Sequence, residues 1–475
     1  MKILFVASEG APFSASGGLG DVIGALPGAI KKNDPSIDVE VVLPLYKSTK
    51  EKYMDELKRV CDLNFRLSWR DTGATVYSIE KDGINYYFIE NSYYFDREAF
   101  YGEFDDGERF AFFSMATLEF IMSNQNIPDI IHANDWQSAL CVIYLKTKYR
   151  QIKMLSQIKT LYTIHNIEYQ GKYNLDILED IFALDIQFKN IVEYNGEINL
   201  TKGAITVSDY VSTVSPNYAN ELKHDYFAFG LANIISEASH KMCGIINGID
   251  YSYFSPEVGG DIYSPYTRRA FKSGKAKNKK ALQAELGLLQ NPKIPLIIMI
   301  SRLTDGKGID LVLHVIEELL SENVQFAILG TGDVKYEDAL RSIESNHDNF
   351  KAVIKFDRTL SKKMYAGADM FLMPSKSEPC GLAQMIACSY GTIPVVRAVG
   401  GLVDSIIPYG CEGANGFRFD NYNAHDLLYT AKSALNLYSS TKEWETLVKS
   451  AINSDFSWVK SAQKYIGLYK NLLVK

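Results

Sequence analysis

The chain has 475 residues, a formal net charge of −7 and 47% apolar residues. It is too long for one ordinary hydrophobic core, so two domains are expected. The acidic balance excludes nucleic acid and anionic membranes as main partners, so any phosphate must be held by local cations and backbone N–H groups. Six cysteines (Cys61, Cys141, Cys243, Cys380, Cys388 and Cys411) are scattered without the close pairs of a metal site, which fits reduced thiols in the cytoplasm. Met1 leads straight into a strand pattern and no apolar run could span a bilayer, so neither a secretory leader nor a membrane segment is expected.

The first strand-like run, Lys2–Ala7, leads to the glycine turn Ser16-Gly17-Gly18-Leu19-Gly20-Asp21 and then to helical spacing over Val22–Ile30. A glycine turn between strand and helix aims backbone N–H groups at whatever lies above the helix N-terminus, which suits phosphate. Further strands are predicted at Val39–Pro44, Thr75–Glu80, Tyr86–Glu90, Asp129–His132, Thr160–His165 and Val211–Val214. Their near-continuous apolar character is that of buried parallel strands. Two of them end in polar clusters, His132-Ala133-Asn134-Asp135-Trp136-Gln137 and Thr163-Ile164-His165-Asn166, at the carboxyl edge where open α/β sheets bind ligands. Such mixed donors and acceptors suit a hydroxyl-rich substrate; taken singly, His165 and Asp135 also read as loop cross-links.

A turn signal at Ile246-Asn247-Gly248-Ile249-Asp250 marks the domain boundary, and Tyr251–Lys280, without a clear period, reads as an extended connector. Strands follow at Ile294–Ser301, Val324–Leu329, Ala352–Lys355, Met370–Pro374 and Ile393–Val396, with helical stretches such as Gly308–Leu320 between them. Two doubly wound α/β domains follow from the alternation. After the first of these strands come Arg302 and Lys307, two cations at a strand-to-helix junction that could neutralise a diphosphate. Lys307 alone reads equally as a solvated helix start. Gly330-Thr331-Gly332-Asp333 is a second turn of this kind. Glu378 precedes Pro379, a proline expected at the first position of a helix; the carboxylate either caps that helix or binds sugar or ribose hydroxyls. Gly400-Gly401-Leu402 repeats the glycine turn of the first half. Helical spacing in the final segment gathers Trp458, Tyr465, Leu468 and Leu472 on one side.

In this order, Gly17–Val22, Asp105–Phe110, His132–Trp136, Thr163–Gly171, Ile246–Asp250, Ser301–Gly308, Glu378–Leu382, Gly400–Leu402 and Asp455–Trp458 resemble the bacterial glycogen synthases and plant starch synthases over nearly the whole chain. The resemblance implies a GT-B fold, two Rossmann-like doubly wound domains facing across a cleft. Residues 1–245 would form the acceptor side and 246–456 the donor side, with 457–475 a helix packing back on the first domain. It implies a retaining glucosyltransferase moving glucose from ADP-glucose, or UDP-glucose in some members, to the non-reducing 4-OH of an α-1,4-glucan, with no metal or other cofactor. Arg302 and Lys307 would hold the diphosphate and stabilise the leaving group, and Glu378 would sit by the donor sugar. Asp105, Asn134 and His165 would line the glucose site. Ser16, Gly17, Gly18, Gly332, Cys380, Gly381, Leu382, Gly400 and Gly401 would contact substrate, the glycine turns through their N–H groups.

The chain departs from the family pattern at phosphate-facing positions. Ala15 stands where the family usually has Lys, Val399 where it has Thr, and Lys376 where Arg is frequent. A lost charge-assisted hydrogen bond is worth about 1.5–3 kcal/mol, so a high donor KM or a changed nucleotide preference is expected. The competing readings are a degenerate paralogue that binds glucan without transferring glucose, and a nicotinamide-dependent oxidoreductase. The latter lacks a GxGxxG turn with its acidic partner.

Overall fold

Short apolar runs separated by amphipathic segments fold here into two parallel sheets flanked by helices. The computed structural model describes residues 1–257 and 260–474. It divides into one unit of Met1–Asn247 with Trp458–Lys475 and a second of Gly248–Ser457.

The strands of the first unit are β1 (Lys2–Val6), β2 (Asp38–Pro44), β3 (Lys58–Leu67), β4 (Arg70–Lys81), β5 (Ile84–Glu90), β6 (Ile130–Asn134), β7 (Lys159–Ile164), β8 (Lys172–Asn174), β9 (Glu193–Tyr194), β10 (Glu197–Asn199), β11 (Tyr210–Thr213) and β12 (Met242–Gly244). Nine of them form one sheet in the order β12-β11-β7-β6-β1-β2-β5-β4-β3. It is parallel from β12 to β5, with β4 and β3 added antiparallel. Strands β8, β10 and β9 make a small antiparallel sheet. Strand order reverses between β1 and β6, the point where open α/β sheets take their ligands.

One face of this sheet is covered by the helix Gly18–Asn33 and by the final helix Trp458–Val474. Trp458, Tyr465, Tyr469 and Leu472 join Ile3, Phe5, Val22, Leu26 and Ile30 in one apolar cluster. His132, a polar end of β6, lies wholly buried there, bonded to the Tyr469 hydroxyl at 2.8 Å and Thr163 Oγ1 at 2.6 Å. Burial holds its imidazole far below the usual range, hence neutral. This histidine ties the final helix to the sheet and is structural.

The second unit carries β13 (Leu296–Ile300), β14 (Gln325–Leu329), β15 (Phe350–Val353), β16 (Met370–Met373), β17 (Ile393–Arg397) and β18 (Phe417–Phe419). Their order is β15-β14-β13-β16-β17-β18, all parallel. This is the Rossmann order, with its reversal between β13 and β16.

Two local expectations are corrected. Within the stretch read as an extended connector, Phe271–Glu285 is a helix of 15 residues. Its inward face is Phe271, Gly274, Asn278, Lys279, Leu282 and Gln283, so helical spacing is present but half the buried positions are polar. They are satisfied: Lys279 Nζ meets Asp369 at 2.6 Å, and Asn278 Nδ2 donates to the Ser264 carbonyl at 2.6 Å. Pro379, in turn, does not begin a helix. The helix starts at Ala383, after Gly381 has taken φ +72°, and Glu378 caps nothing there.

Candidate functional site

In the second unit the loops after β13 and β16, which flank the strand-order reversal, are fastened to each other. Gly308 adopts φ +74°, and a Cβ there would lie 2.2 Å from the Pro374 carbonyl oxygen, so only glycine allows the approach. The Lys376 N–H donates to the Gly306 carbonyl at 3.0 Å. This brings Lys307 Nζ to 2.6 Å from Glu378 Oε2, which also accepts from the Ser375 hydroxyl at 3.1 Å. Glu378 is buried and Lys307 half-buried, a setting in which the pair fixes the ammonium more firmly than a surface ion pair would. Arg302 stands exposed at the start of the same loop, and among the described residues its guanidinium has no carboxylate partner.

The second glycine turn packs against the same carboxylate segment. Gly400 has φ +47°, and a Cβ on it would lie 1.9 Å from the Glu378 carbonyl oxygen. The Gly401 N–H donates to that carbonyl at 3.1 Å. Gly401 is therefore not an open donor, contrary to expectation: its amide holds the Glu378–Pro379 backbone in place. Cys380 is buried beside it, and Gln384 Nε2 bonds the carbonyls of Cys380 and Gly381. Leu382 precedes the helix Ala383–Ser389. Gly332 lies against Leu303, whose carbonyl oxygen would be 2.2 Å from a Cβ at that position, and this ties the loops after β13 and β14 together.

In the first unit, Gly17 begins the helix Gly18–Asn33 with no side-chain cap. Ser16, Gly17 and Gly18 are exposed at the start of that helix, the place where anion sites at helix N-termini form, and the Gly20 N–H bonds the Glu9 carboxylate. Ser16 donates its N–H and its hydroxyl to Glu9 Oε2 at 2.5 and 2.9 Å. Glu9 is buried at the end of the β1 loop, and desolvation pushes its carboxyl up.

Asn134 and His165 are brought together after β6 and β7. Asn134 Nδ2 donates to the carbonyls of His132 and Val6, so its Oδ1 is the acceptor for His165 Nε2 at 3.0 Å. Burial pulls the His165 imidazole down to about 3. The ring is thus neutral, carries its proton on Nε2 and keeps a lone pair at Nδ1. Asp135 has φ +57° and accepts the His165 N–H at 2.7 Å; burial raises its carboxyl to about 7. Asp105 is not part of this pair. It precedes the helix Asp106–Ser123 without capping it and meets Arg97 at 2.9 Å.

Three residues have no role assigned from the sequence. Glu9 and Ser375 lie within the quoted motifs, but the way they organise the loops above shows only in the fold. Phe356, 79% exposed just beyond β15, is an aromatic face at the carboxyl edge; its signal was only an aromatic after a strand.

Two Rossmann-like units, each with its polar loops at the strand-order reversal, are the building blocks of GT-B glycosyltransferases, and the comparisons place the chain in that class. The starch synthase catalytic domain family matches residues 2–237, and the glycosyl transferases group 1 family matches 285–450. The chain is 42% identical to the glycogen synthase of Clostridium novyi, covering 100% of both chains. It is 44% identical to that of Lactococcus lactis over 99% of this chain and 100% of the relative. Among solved structures, the catalytic domain of starch synthase IV from Arabidopsis thaliana, bound to ADP and acarbose, superposes with a TM-score of 0.90. The two are 33% identical, covering 100% of this chain and 99% of that one. The chain belongs to the glycogen synthase family and is a hexosyltransferase.

Proposed function

We propose that the protein transfers glucose from ADP-glucose to the non-reducing end of an α-1,4-glucan with retention of configuration. Residues 246–456 would take the donor and residues 1–245 the acceptor. The observation that carries this reading is the Lys307–Glu378 pair on the loops that flank the reversal point of the second sheet, with exposed Arg302, which has no carboxylate partner among the described residues, at the start of the same loop as Lys307. Two cations at that place match a diphosphate, and their attraction grows as the glycosidic bond breaks and charge develops on the departing phosphate oxygen. Glu378 then has two tasks: it holds Lys307 and offers its remaining lone pairs to donor hydroxyls. Among the acceptor-side groups, neutral His165 offers a lone pair at Nδ1 to a sugar hydroxyl without adding charge. Adenine as the base finds support in the ADP bound by the plant relative, and the exposed Phe356 ring gives a base a face to stack on. The six free thiols suit a reducing compartment such as the cytoplasm.

The test incubates the protein with glycogen and either ADP-glucose or UDP-glucose. Released nucleoside diphosphate is measured, and the anomeric configuration of the new linkage is read by NMR. Release from ADP-glucose with an α-linked product is expected. Faster release from UDP-glucose, or a β-linkage, would overturn the donor or the stereochemical part of the proposal.

A further inference from the structure

Tyr422 stands half-buried just beyond β18. Its hydroxyl donates to Asp310 Oδ1 at 2.5 Å. Asp310 lies in the first turn of the helix Ile309–Leu320, directly after the loop that carries Lys307 and Gly308. The Tyr422 ring meets two cations, the Arg397 guanidinium at 5.2 Å and the Lys376 ammonium at 5.8 Å from its centre. Arg397 is buried at the end of β17, where its Nη1 donates to the Lys376 carbonyl at 2.7 Å and the Ser375 carbonyl at 3.5 Å. The same backbone is held from the loop after β13, where the Gly306 carbonyl accepts the Lys376 N–H, and the Ser375 hydroxyl reaches Glu378.

We infer that Arg397 and Tyr422 are positioning residues for the transfer step: they brace the loops after β13 and β16 so that Lys307 stays against the departing phosphate. This rests on the reading of Lys307 and Glu378 as the donor pair. A lysine ammonium sits on a flexible stem, so its place is only as definite as its backbone and its partner. Here both are governed from one ring. Glu378 follows Ser375, whose carbonyl Arg397 grips, and the helix start beside Lys307 follows Asp310, which Tyr422 holds. A guanidinium suits that grip because its donors are fixed in a plane, and an aromatic face supports the plane. The phenol donating to a carboxylate becomes richer in electrons, which offsets the repulsion between two cations sharing its ring. Position matters most as the glycosidic bond opens and the departing oxygen gains negative charge, a charge that free ADP retains. A displaced ammonium therefore forfeits more in the transition state and with ADP than with the intact donor.

The test uses the full chain with glycogen and ADP-glucose and measures kcat, the KM for ADP-glucose and the inhibition constant of ADP. Tyr422→Phe keeps the ring and cuts the bond to Asp310, whereas Arg397→Lys keeps the charge and gives up the fork. Each should lower kcat about tenfold and raise the ADP constant about tenfold, with the KM for ADP-glucose moving less than about threefold. Asp310→Ala should match Tyr422→Phe, and the double variant Tyr422→Phe/Asp310→Ala should be no worse than either, since both cut one bond. Loss of folded protein would lower kcat alone, because an inhibition constant does not depend on how much enzyme is active. A wild-type ADP constant in Tyr422→Phe and Arg397→Lys, or multiplied effects in the double variant, overturns the brace. Direct ADP binding by calorimetry separates it from the underlying reading. Binding about tenfold weaker in the variants, beside a wild type that transfers no glucose from ADP-glucose, would overturn the donor reading and leave the brace standing.

Discussion

Ala15 stands just before the first glycine turn, where the family resemblance leads one to expect a lysine. It lies beside a helix N-terminus whose Ser16 and Gly20 amides engage the Glu9 carboxylate, packed so closely on Gly20 that a Cβ there would be 2.6 Å from its own. A lysine at 15 keeps that Cβ and adds a cation at the start of this helix. Ala15→Lys is therefore expected to lower the KM for ADP-glucose by about tenfold or more, and unchanged kinetics would remove Ala15 from the account. Asp135 makes a prediction about pH. Its carboxyl rises from the ordinary 3.8 to about 7 on folding, so its contribution to stability is full below pH 3.8 and is lost as pH rises through 7. His165 acts oppositely: its value falls from 6.5 to about 3, so stability is lost as pH drops through that window. The two partly cancel in the wild type. Asp135→Asn keeps an acceptor for the His165 N–H and removes the charge. Its Tm should exceed the wild type's above pH 7 and converge with it near pH 4, and equal Tm values at both pH values would contradict the buried charge.

At the scale of elements, the loops after β13 and β16 depend on backbone contacts that a side chain would break. Gly308→Ala introduces a Cβ 2.2 Å from the Pro374 oxygen at φ +74°. A destabilisation of about 2–4 kcal/mol is expected in urea unfolding, with transfer activity falling as Lys307 and Glu378 separate. An unchanged midpoint would mean that the loops tolerate a gap. How far these elements were legible in the sequence depends on what they bury. Strands such as β1, β2 and β13 announced themselves because both their faces are covered. Strand β3 did not, since Leu63 and Leu67 alone among its ten residues are buried. The helix Phe271–Glu285 escaped because Asn278, Lys279 and Gln283 occupy inward positions that periodicity arguments reserve for apolar residues. In the candidate site, Lys307 and Glu378 were each noticed as polar residues beyond strands. Their meeting across 71 positions needed the sheet order, and so did the enclosure of Glu9. The proline signal misled because Gly381 had to turn the chain before the helix could begin.

For the whole molecule, the decisive fact is that the first unit is discontinuous: it spans Met1–Asn247 and is completed by Trp458–Lys475, while Gly248–Ser457 forms the other unit without interruption. Tyr469 is wholly buried and bonded to buried His132. Tyr469→Ala should cost about 3–5 kcal/mol and leave the imidazole short of a partner. A chain lacking residues 458–474 should lose protease resistance over 1–247 while 248–457 stays resistant. Resistance across both segments would show that the helix is dispensable.

That arrangement has a consequence for synthesis. The unit encoded second is the first that can close, because all its strands have emerged before the final helix is made. The unit encoded first must wait, its groove beside Ile3, Val22 and Leu26 still open, for residues 458–474 to arrive. A chain cut short before Trp458 lacks that helix and keeps an apolar groove for chaperones and proteases to find. Synthesis through the helix Trp458–Val474 is thereby a condition for closing the unit that was begun first.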